Sequence, residues 1–210
     1  MFERYLQISS GEPLSARSSI GPTYRKLLYE ILMEGRFKNV LEIGCLRGYS
    51  SVAFLQALDD GAEFHLSLVD PHPHLSLMPL VDKCKRQDRI RLHRARSIDV
   101  ISEEFDFLFI DGDHTVAGVG AELLRILECQ IESMVAHDIW IEHPKHPEYR
   151  GAHLYRHVFC NHRDYLYIDD REMRSTDPYK GCGLAFFTRE VELYRKIAPL
   201  FSGLLRNTLC

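Results

Sequence analysis

Residues 39–51, NVLEIGCLRGYSS, decide the fold of this chain. The apolar run Asn39 to Ile43 has the character of a buried strand, and it leads directly into a turn that carries Gly44 and Gly48 and then into a helix. Glycine lets a backbone approach a ligand closely, and the N-terminus of the following helix presents free N–H groups. The segment therefore predicts a first strand followed by a nucleotide-type binding turn.

Short apolar runs alternate with helix-period segments on the C-terminal side of this turn, which indicates βαβ units and a parallel sheet. We predict four more parallel strands at residues 64–69, 90–93, 105–110 and 131–136, and a terminal pair at 165–168 and 183–187. The predicted fold class is therefore α/β: a single doubly wound, Rossmann-like domain of about seven strands, mostly parallel with an antiparallel terminal strand.

The rest of the chain is predicted to be helical around this core. We expect one domain over residues 1–210, with an N-terminal helical extension at 1–36, a core at 37–188 and a C-terminal helix at 189–210 that Pro199 kinks or ends. In the helix after the fourth strand, the predicted buried face is Val116, Val119, Leu123, Ile126 and Leu127.

Charge and hydropathy exclude several classes of protein. Lysine and arginine number 26 against 30 aspartates and glutamates, so the net charge of −4 offers no general attraction to nucleic acid or to an anionic membrane. We interpret the basic run at 82–96 and the acidic run at 99–113 as two rims of one domain. No apolar run is long enough to span a bilayer, and residues 1–11 are charged where a signal peptide is apolar, so we expect a cytoplasmic protein with a small-molecule partner.

Two carboxylates flank the glycine turn. Glu42 lies two residues before Gly44 and suits a positively charged ligand, while Asp70 follows the second strand, where an acid can accept both ribose hydroxyls. A dinucleotide fingerprint needs a glycine at position 46, which here is Leu46, so a nicotinamide-dependent oxidoreductase is disfavoured. The pattern favours an adenosine with a cationic tail, and the alternative is that the glycines only shape a tight turn.

The segment from Glu42 to Ser50 resembles the first motif of the class I S-adenosylmethionine-dependent methyltransferases. FIDGDHT at 109–115 and VAHD at 135–138 are similar to the branch of macrolide-sugar O-methyltransferases and cephalosporin-hydroxylase-like proteins. The resemblance implies that S-adenosylmethionine is the cofactor, with Asp70 at the ribose and Ser97 near the adenine. It also implies that cofactor contacts come from Glu42, Gly44, Cys45, Gly48, Tyr49, Ser50 and Asp111.

Asp111 and Asp138 end the fourth and fifth strands, so both are expected in the crevice at the carboxyl edge of the sheet. Two such carboxylates suit Mg²⁺ or another divalent cation. Metal-dependent relatives have an acidic residue at the position of His137, so the candidate ligand set Asp111, His137 and Asp138 leaves a softer metal, or none, open. Capping or direct cofactor contact is the alternative role for the two aspartates.

His114 resembles the general base of the sugar methyltransferases, and we assign catalysis to His114 and Asp111. The predicted function is methyl transfer from S-adenosylmethionine to a hydroxyl of a sugar, glycoside or other secondary metabolite. The alternative is a catalytically silent cofactor-binding or regulatory subunit, and a homo-oligomer stays open. The acceptor pocket is expected from residues 1–20 and 139–182.

Overall fold

The computed structural model of the protein describes residues 2–6, 20–139, 151–170 and 183–207. Each predicted strand is present, with ends that shift by no more than two residues. The strands are β1 (Asn39–Ile43), β2 (His65–Val69), β3 (Ile90–His93), β4 (Phe107–Ile110), β5 (Ser133–His137), β6 (Leu166–Asp169) and β7 (Leu184–Thr188).

These strands form one sheet in the order β3-β2-β1-β4-β5-β7-β6. The five strands from β1 to β5 are parallel, while β7 pairs antiparallel with both β5 and β6. The predicted fold class, mostly parallel with an antiparallel strand near the end of the chain, is therefore confirmed. The strand order reverses between β1 and β4, which is where doubly wound folds form a ligand crevice.

Helices cover both faces of the sheet. They are α1 (Glu3–Leu6), α2 (Pro22–Glu34), α3 (Ser51–Asp59), α4 (Leu77–Val81), α5 (Val116–Glu128), α6 (His153–Phe159) and α7 (Val191–Asn207). One apolar core contains side chains of α2, α3, α4 and α7, and a second contains side chains of α5 and α6. None of the described helices is long and apolar enough to cross a membrane.

The alternation of side chains along β1 assigns its residues to the two cores. Val40 lies in the core of α2 and α3, while Leu41 and Ile43 lie in the core of α5 and α6. Because side chains of a strand alternate, Glu42 points to the same face as Val40. A carboxylate thus enters an otherwise apolar layer beside the N-terminus of α3.

One sequence expectation about a helix is corrected, and one of the two alternatives for Pro199 is excluded. Val116 is 53% exposed, because it occupies the first turn of α5 before the helix meets the sheet, whereas Val119, Leu123 and Ile126 are buried as predicted. Pro199 does not end α7, which continues to Asn207. Pro199 is exposed, so water can satisfy the carbonyl that loses its helical N–H partner.

Candidate active site

A cavity of about 820 Å³ opens at the carboxyl edge of β1, β2 and β4. Its volume lies in the range of sites for small molecules and cofactors. Four of the residues predicted to bind the cofactor line it: Gly44, Asp70, Ser97 and Asp111. The cavity therefore brings together the glycine turn, the end of β2 and the start of the loop after β4.

The backbone of Gly44 has a φ of +84°, a conformation that glycine adopts easily and other residues do not. Its N–H donates to the carbonyl of Val69 at 2.8 Å, which ties the turn to β2. A Cβ at this position would lie 2.1 Å from the backbone oxygen of Asp111. The missing side chain therefore lets two loops meet at the base of the cavity.

Asp70 holds the glycine turn in place as well as lining the cavity. Its Oδ2 accepts the backbone N–H of Leu46 at 2.8 Å, and its Oδ1 accepts that of His72 at 2.7 Å. Leu46 has a φ of 30°, in the region that favours glycine, and this is the position where the dinucleotide fingerprint has its second glycine. The bond to Asp70 helps to hold a leucine in this backbone conformation.

Glu42 is fully buried and accepts a hydrogen bond from the hydroxyl of Ser50 at Oε1. Its Oε2 has no hydrogen-bond partner among the described residues. Burial raises the pKa of Glu42 to about 7, and the nearby hydroxyls of Ser50 and Ser51 oppose this shift. When ionised, a carboxylate buried behind the turn can favour a cationic group in the cavity through its charge and without direct contact.

Other residues of the predicted cofactor turn pack away from the cavity. Cys45, Tyr49 and Ser50 are all buried, and burial raises the pKa of the Cys45 thiol. A Cβ on Gly48 would lie 2.6 Å from Cδ1 of Leu80, so this glycine makes room for α4. Neither these four residues nor Glu42 belong to the lining of the described cavity.

Asp111, His114 and Asp138 meet beside the cavity. Each offers one ligand atom, and these atoms lie within 4.8 Å of one another, as a metal site requires. Nε2 of His114 lies 3.3 Å from Oδ2 of Asp138 and 3.8 Å from Oδ1 of Asp111. Asp138 has a φ of 59°, in the left-handed region that aspartate adopts more readily than most residues.

His137, a predicted ligand, lies next to the other two predicted ligands, Asp111 and Asp138. It is 3% exposed, its Nδ1 lies 3.0 Å from Oδ1 of Asp111, and its ring packs edge-on against Tyr24. Nδ1 of His137 also lies 3.3 Å from Oδ1 of Asp138, so this buried imidazole contacts both carboxylates, as the partly exposed His114 does.

Glu122 is a residue of this site that sequence reasoning missed. It lines the cavity from α5, is 2% exposed, and accepts hydrogen bonds from the hydroxyls of Ser97 and Tyr155. Burial raises the pKa of Glu122, while its two hydroxyl partners oppose the shift. The available signal was an acidic residue within the apolar stripe formed by Val119, Leu123 and Ile126.

Residues 41–138 match a family model described as a methyltransferase domain. The chain also shares the fold of several solved O-methyltransferases, as the motifs of its sequence predict. It is 26% identical over 102 residues to a catechol O-methyltransferase of Niastella koreensis. That match covers 45% of this chain and 46% of the relative, so the chain matches about half of that protein's length.

Two solved structures illustrate the similarity of fold. The O-methyltransferase of Bacillus cereus in complex with S-adenosylhomocysteine (SAH) superimposes with a TM-score of 0.62 at 18% identity, covering 83% of this chain and 84% of that one. The O-methyltransferase TomG of Streptomyces achromogenes, in complex with S-adenosylmethionine, gives a TM-score of 0.61 at 18% identity over 81% of both chains. At this identity the similarity is one of fold.

The buried Glu42 predicts how stability changes with pH. Its pKa is about 7 in the folded state and 4.5 in the unfolded chain, so the unfolded chain ionises first as pH rises. The contribution of Glu42 to the free energy of unfolding should therefore fall between these values, by about 3 kcal/mol. Glu42→Gln should remove this fall, which urea unfolding at pH 5 and pH 8 would measure. The exposed Glu63→Gln is the control, and an equal pH dependence in both variants would contradict the prediction.

Proposed function

We propose that this protein transfers a methyl group from S-adenosylmethionine to a hydroxyl of a small molecule, such as a sugar, a glycoside or another secondary metabolite. The observation that carries the proposal is that Asp111 takes part in two sites. This residue lines the cofactor-sized cavity and also belongs to the cluster with His114 and Asp138. A methyl donor in the cavity would therefore end beside groups that can orient and deprotonate a hydroxyl.

The residues of the cavity fit this cofactor. Gly44 leaves the space that a Cβ would fill, and Asp70 has a carboxylate at the end of β2 with which to meet ribose hydroxyls. Glu42, buried close to the turn, favours a positively charged group nearby. Together these features support binding with the methionine end toward Gly44 and Asp111, and with the ribose at Asp70.

His114 would take the acceptor proton at Nδ1, because its Nε2 faces the carboxylate of Asp138 and can donate to it. As it does so, the acceptor oxygen bonds to the methyl carbon and the carbon–sulfur bond breaks, which leaves a thioether. Asp138 would hold the resulting imidazolium, from 3.3 Å away. Because methyl transfer requires oxygen, carbon and sulfur in line, positioning by this cluster is expected to supply much of the acceleration.

A divalent cation also fits the donor set of two carboxylates and one imidazole. When bound, it would orient the acceptor oxygen and lower the pKa of its hydroxyl. Asp111 and Asp138 are the residues proposed to hold it, while His137 steadies Asp111. The relative that is a catechol O-methyltransferase supports a hydroxylated small molecule as the acceptor.

The direct test is incubation of the purified protein with S-adenosylmethionine carrying an isotopically labelled methyl group. Catechol, simple glycosides and a metabolite extract would serve as acceptors, and mass spectrometry would identify the labelled ether. We expect label on oxygen together with release of SAH. Binding of NADH with an affinity equal to that of SAH, and no labelled product, would contradict the proposal.

Asp70→Ala is expected to weaken SAH binding at least about tenfold, because charge-assisted hydrogen bonds to the ribose are lost. Isothermal titration calorimetry would measure the change. Asp88→Ala, which removes an exposed carboxylate, is the control. Since Asp70 also holds the backbone of Leu46 and His72, thermal unfolding without ligand would show any loss of structure separately. Unchanged affinity would remove Asp70 from the site.

A further inference from the structure

The cavity wall contains a buried hydrogen-bonded group that the proposed chemistry does not use. Ser97 and Glu122 both line the cavity, and the hydroxyl of Ser97 donates to Oε1 of Glu122. The hydroxyl of Tyr155, on α6, donates to Oε2 of the same carboxylate. Both oxygens of a carboxylate that is 2% exposed are thus engaged.

This arrangement fixes the hydrogen-bonding direction of Ser97. A serine hydroxyl has one proton and two acceptor lone pairs, and an ionised carboxylate can only accept. Because Ser97 donates its proton to Glu122, its oxygen can only accept a hydrogen bond from anything in the cavity. A serine without such a partner could rotate its hydroxyl and either donate or accept.

We propose that Glu122 is a positioning residue that makes Ser97 an acceptor and so selects a purine with an amino group over one with a carbonyl at the same place. The inference rests on the proposed function, since it needs the base of the cofactor at this wall. With the methionine end at Gly44 and Asp111 and the ribose at Asp70, the remaining lining near Ser97 is left for the base.

The shape of the wall supports this placement. Ala117, Gly118 and Ala121 of α5 line the cavity next to Glu122. The small side chains of Ala117 and Ala121 leave room for a flat ring close to the helix, whereas the side chain of Asp113 fills the space beside Gly118. Glu122 is the residue of this stretch of helix that brings a buried charge to the wall, and it directs that charge onto Ser97.

Calorimetry with two ligands tests the inference without any assay of methyl transfer. SAH carries the amino group of adenine, whereas S-inosylhomocysteine carries a carbonyl at that position. The wild-type protein should prefer SAH by at least about tenfold, because a carbonyl facing an acceptor leaves both without a donor. Ser97→Ala and Glu122→Met should each remove most of that preference.

The double variant separates a positioning role from a structural one. If Glu122 acts through Ser97, the variant with both substitutions should lose no more preference than either single variant. Tyr155→Phe leaves the bond between Ser97 and Glu122 intact and should keep the preference, which makes it the matched control. Ser97 is partly exposed, so Ser97→Ala is expected to fold. This variant tests the inference even if Glu122→Met does not fold.

Retention of the preference for SAH in Ser97→Ala, or in a folded Glu122→Met, would overturn the inference. Additive losses in the double variant would do the same. Failure of the wild-type protein to bind SAH at all would instead contradict the proposed function. The two failures are therefore distinguishable in one set of titrations.

Discussion

Replacing Gly44 with alanine is expected to abolish measurable SAH binding and to destabilise the fold by at least about 2 kcal/mol. The φ of +84° alone costs an L-residue roughly 1–2 kcal/mol. The added Cβ would also lie 2.1 Å from the backbone oxygen of Asp111, which cannot move without shifting the end of β4. Urea unfolding and calorimetry with SAH would measure the two effects.

Gly61 provides the matched control for this prediction. Its φ is +104°, and a Cβ there would meet nothing within 4 Å. Gly61→Ala therefore carries the backbone strain without the collision, and it should bind SAH like the wild-type protein. Equal destabilisation of the two variants would show that the contact between Gly44 and Asp111 contributes nothing.

Replacing His114 with alanine should lower the rate of methyl transfer by about 10²–10⁴-fold, which is typical for loss of a general base. Affinity for SAH should change little, because His114 does not line the described cavity. The measurement is kcat with the best acceptor found, together with calorimetry. His65→Ala, at an exposed position on β2, is the control.

A chelator distinguishes the two roles open to the cluster. If a cation is used, Asp111→Ala and Asp138→Ala should each remove the dependence of the rate on that cation, with strongly non-additive effects. A wild-type rate that a chelator does not change would reject the cation. A His114→Ala variant with an unchanged rate and pH profile would reject the base.

The sheet could be predicted closely from the sequence because its strands are short apolar runs with clear ends. β1 and β3 have the predicted bounds, Asn39–Ile43 and Ile90–His93. A buried parallel strand needs apolar side chains on both faces, so its ends coincide with changes of composition. The same reasoning placed Asp111 and Asp138 at neighbouring strand ends, since parallel strands share one carboxyl edge.

The contacts between side chains of the candidate site could not be predicted from the sequence, because they depend on tertiary packing. His137 and His114 were both candidates near Asp111, and only the fold shows that both imidazoles contact the two aspartates, with His137 buried and His114 partly exposed. Glu122 was missed because a helical pattern predicts which side chains are buried, but it does not show which distant residues they bond to. Its hydroxyl partners, Ser97 and Tyr155, lie 25 and 33 residues away in the chain.

Because Asp111 belongs to both the cavity and the cluster, binding of the cofactor and binding of a cation affect each other. One carboxylate serves both the cavity and the cluster, so occupancy of one alters the field at the other, and such linkage is reciprocal. On the proposed function, the sulfonium of the methyl donor and a cation at the cluster would repel each other, whereas the neutral thioether of SAH would not. The protein would therefore hold a cation more tightly after methyl transfer than before it, and a bound cation would in turn favour SAH over S-adenosylmethionine.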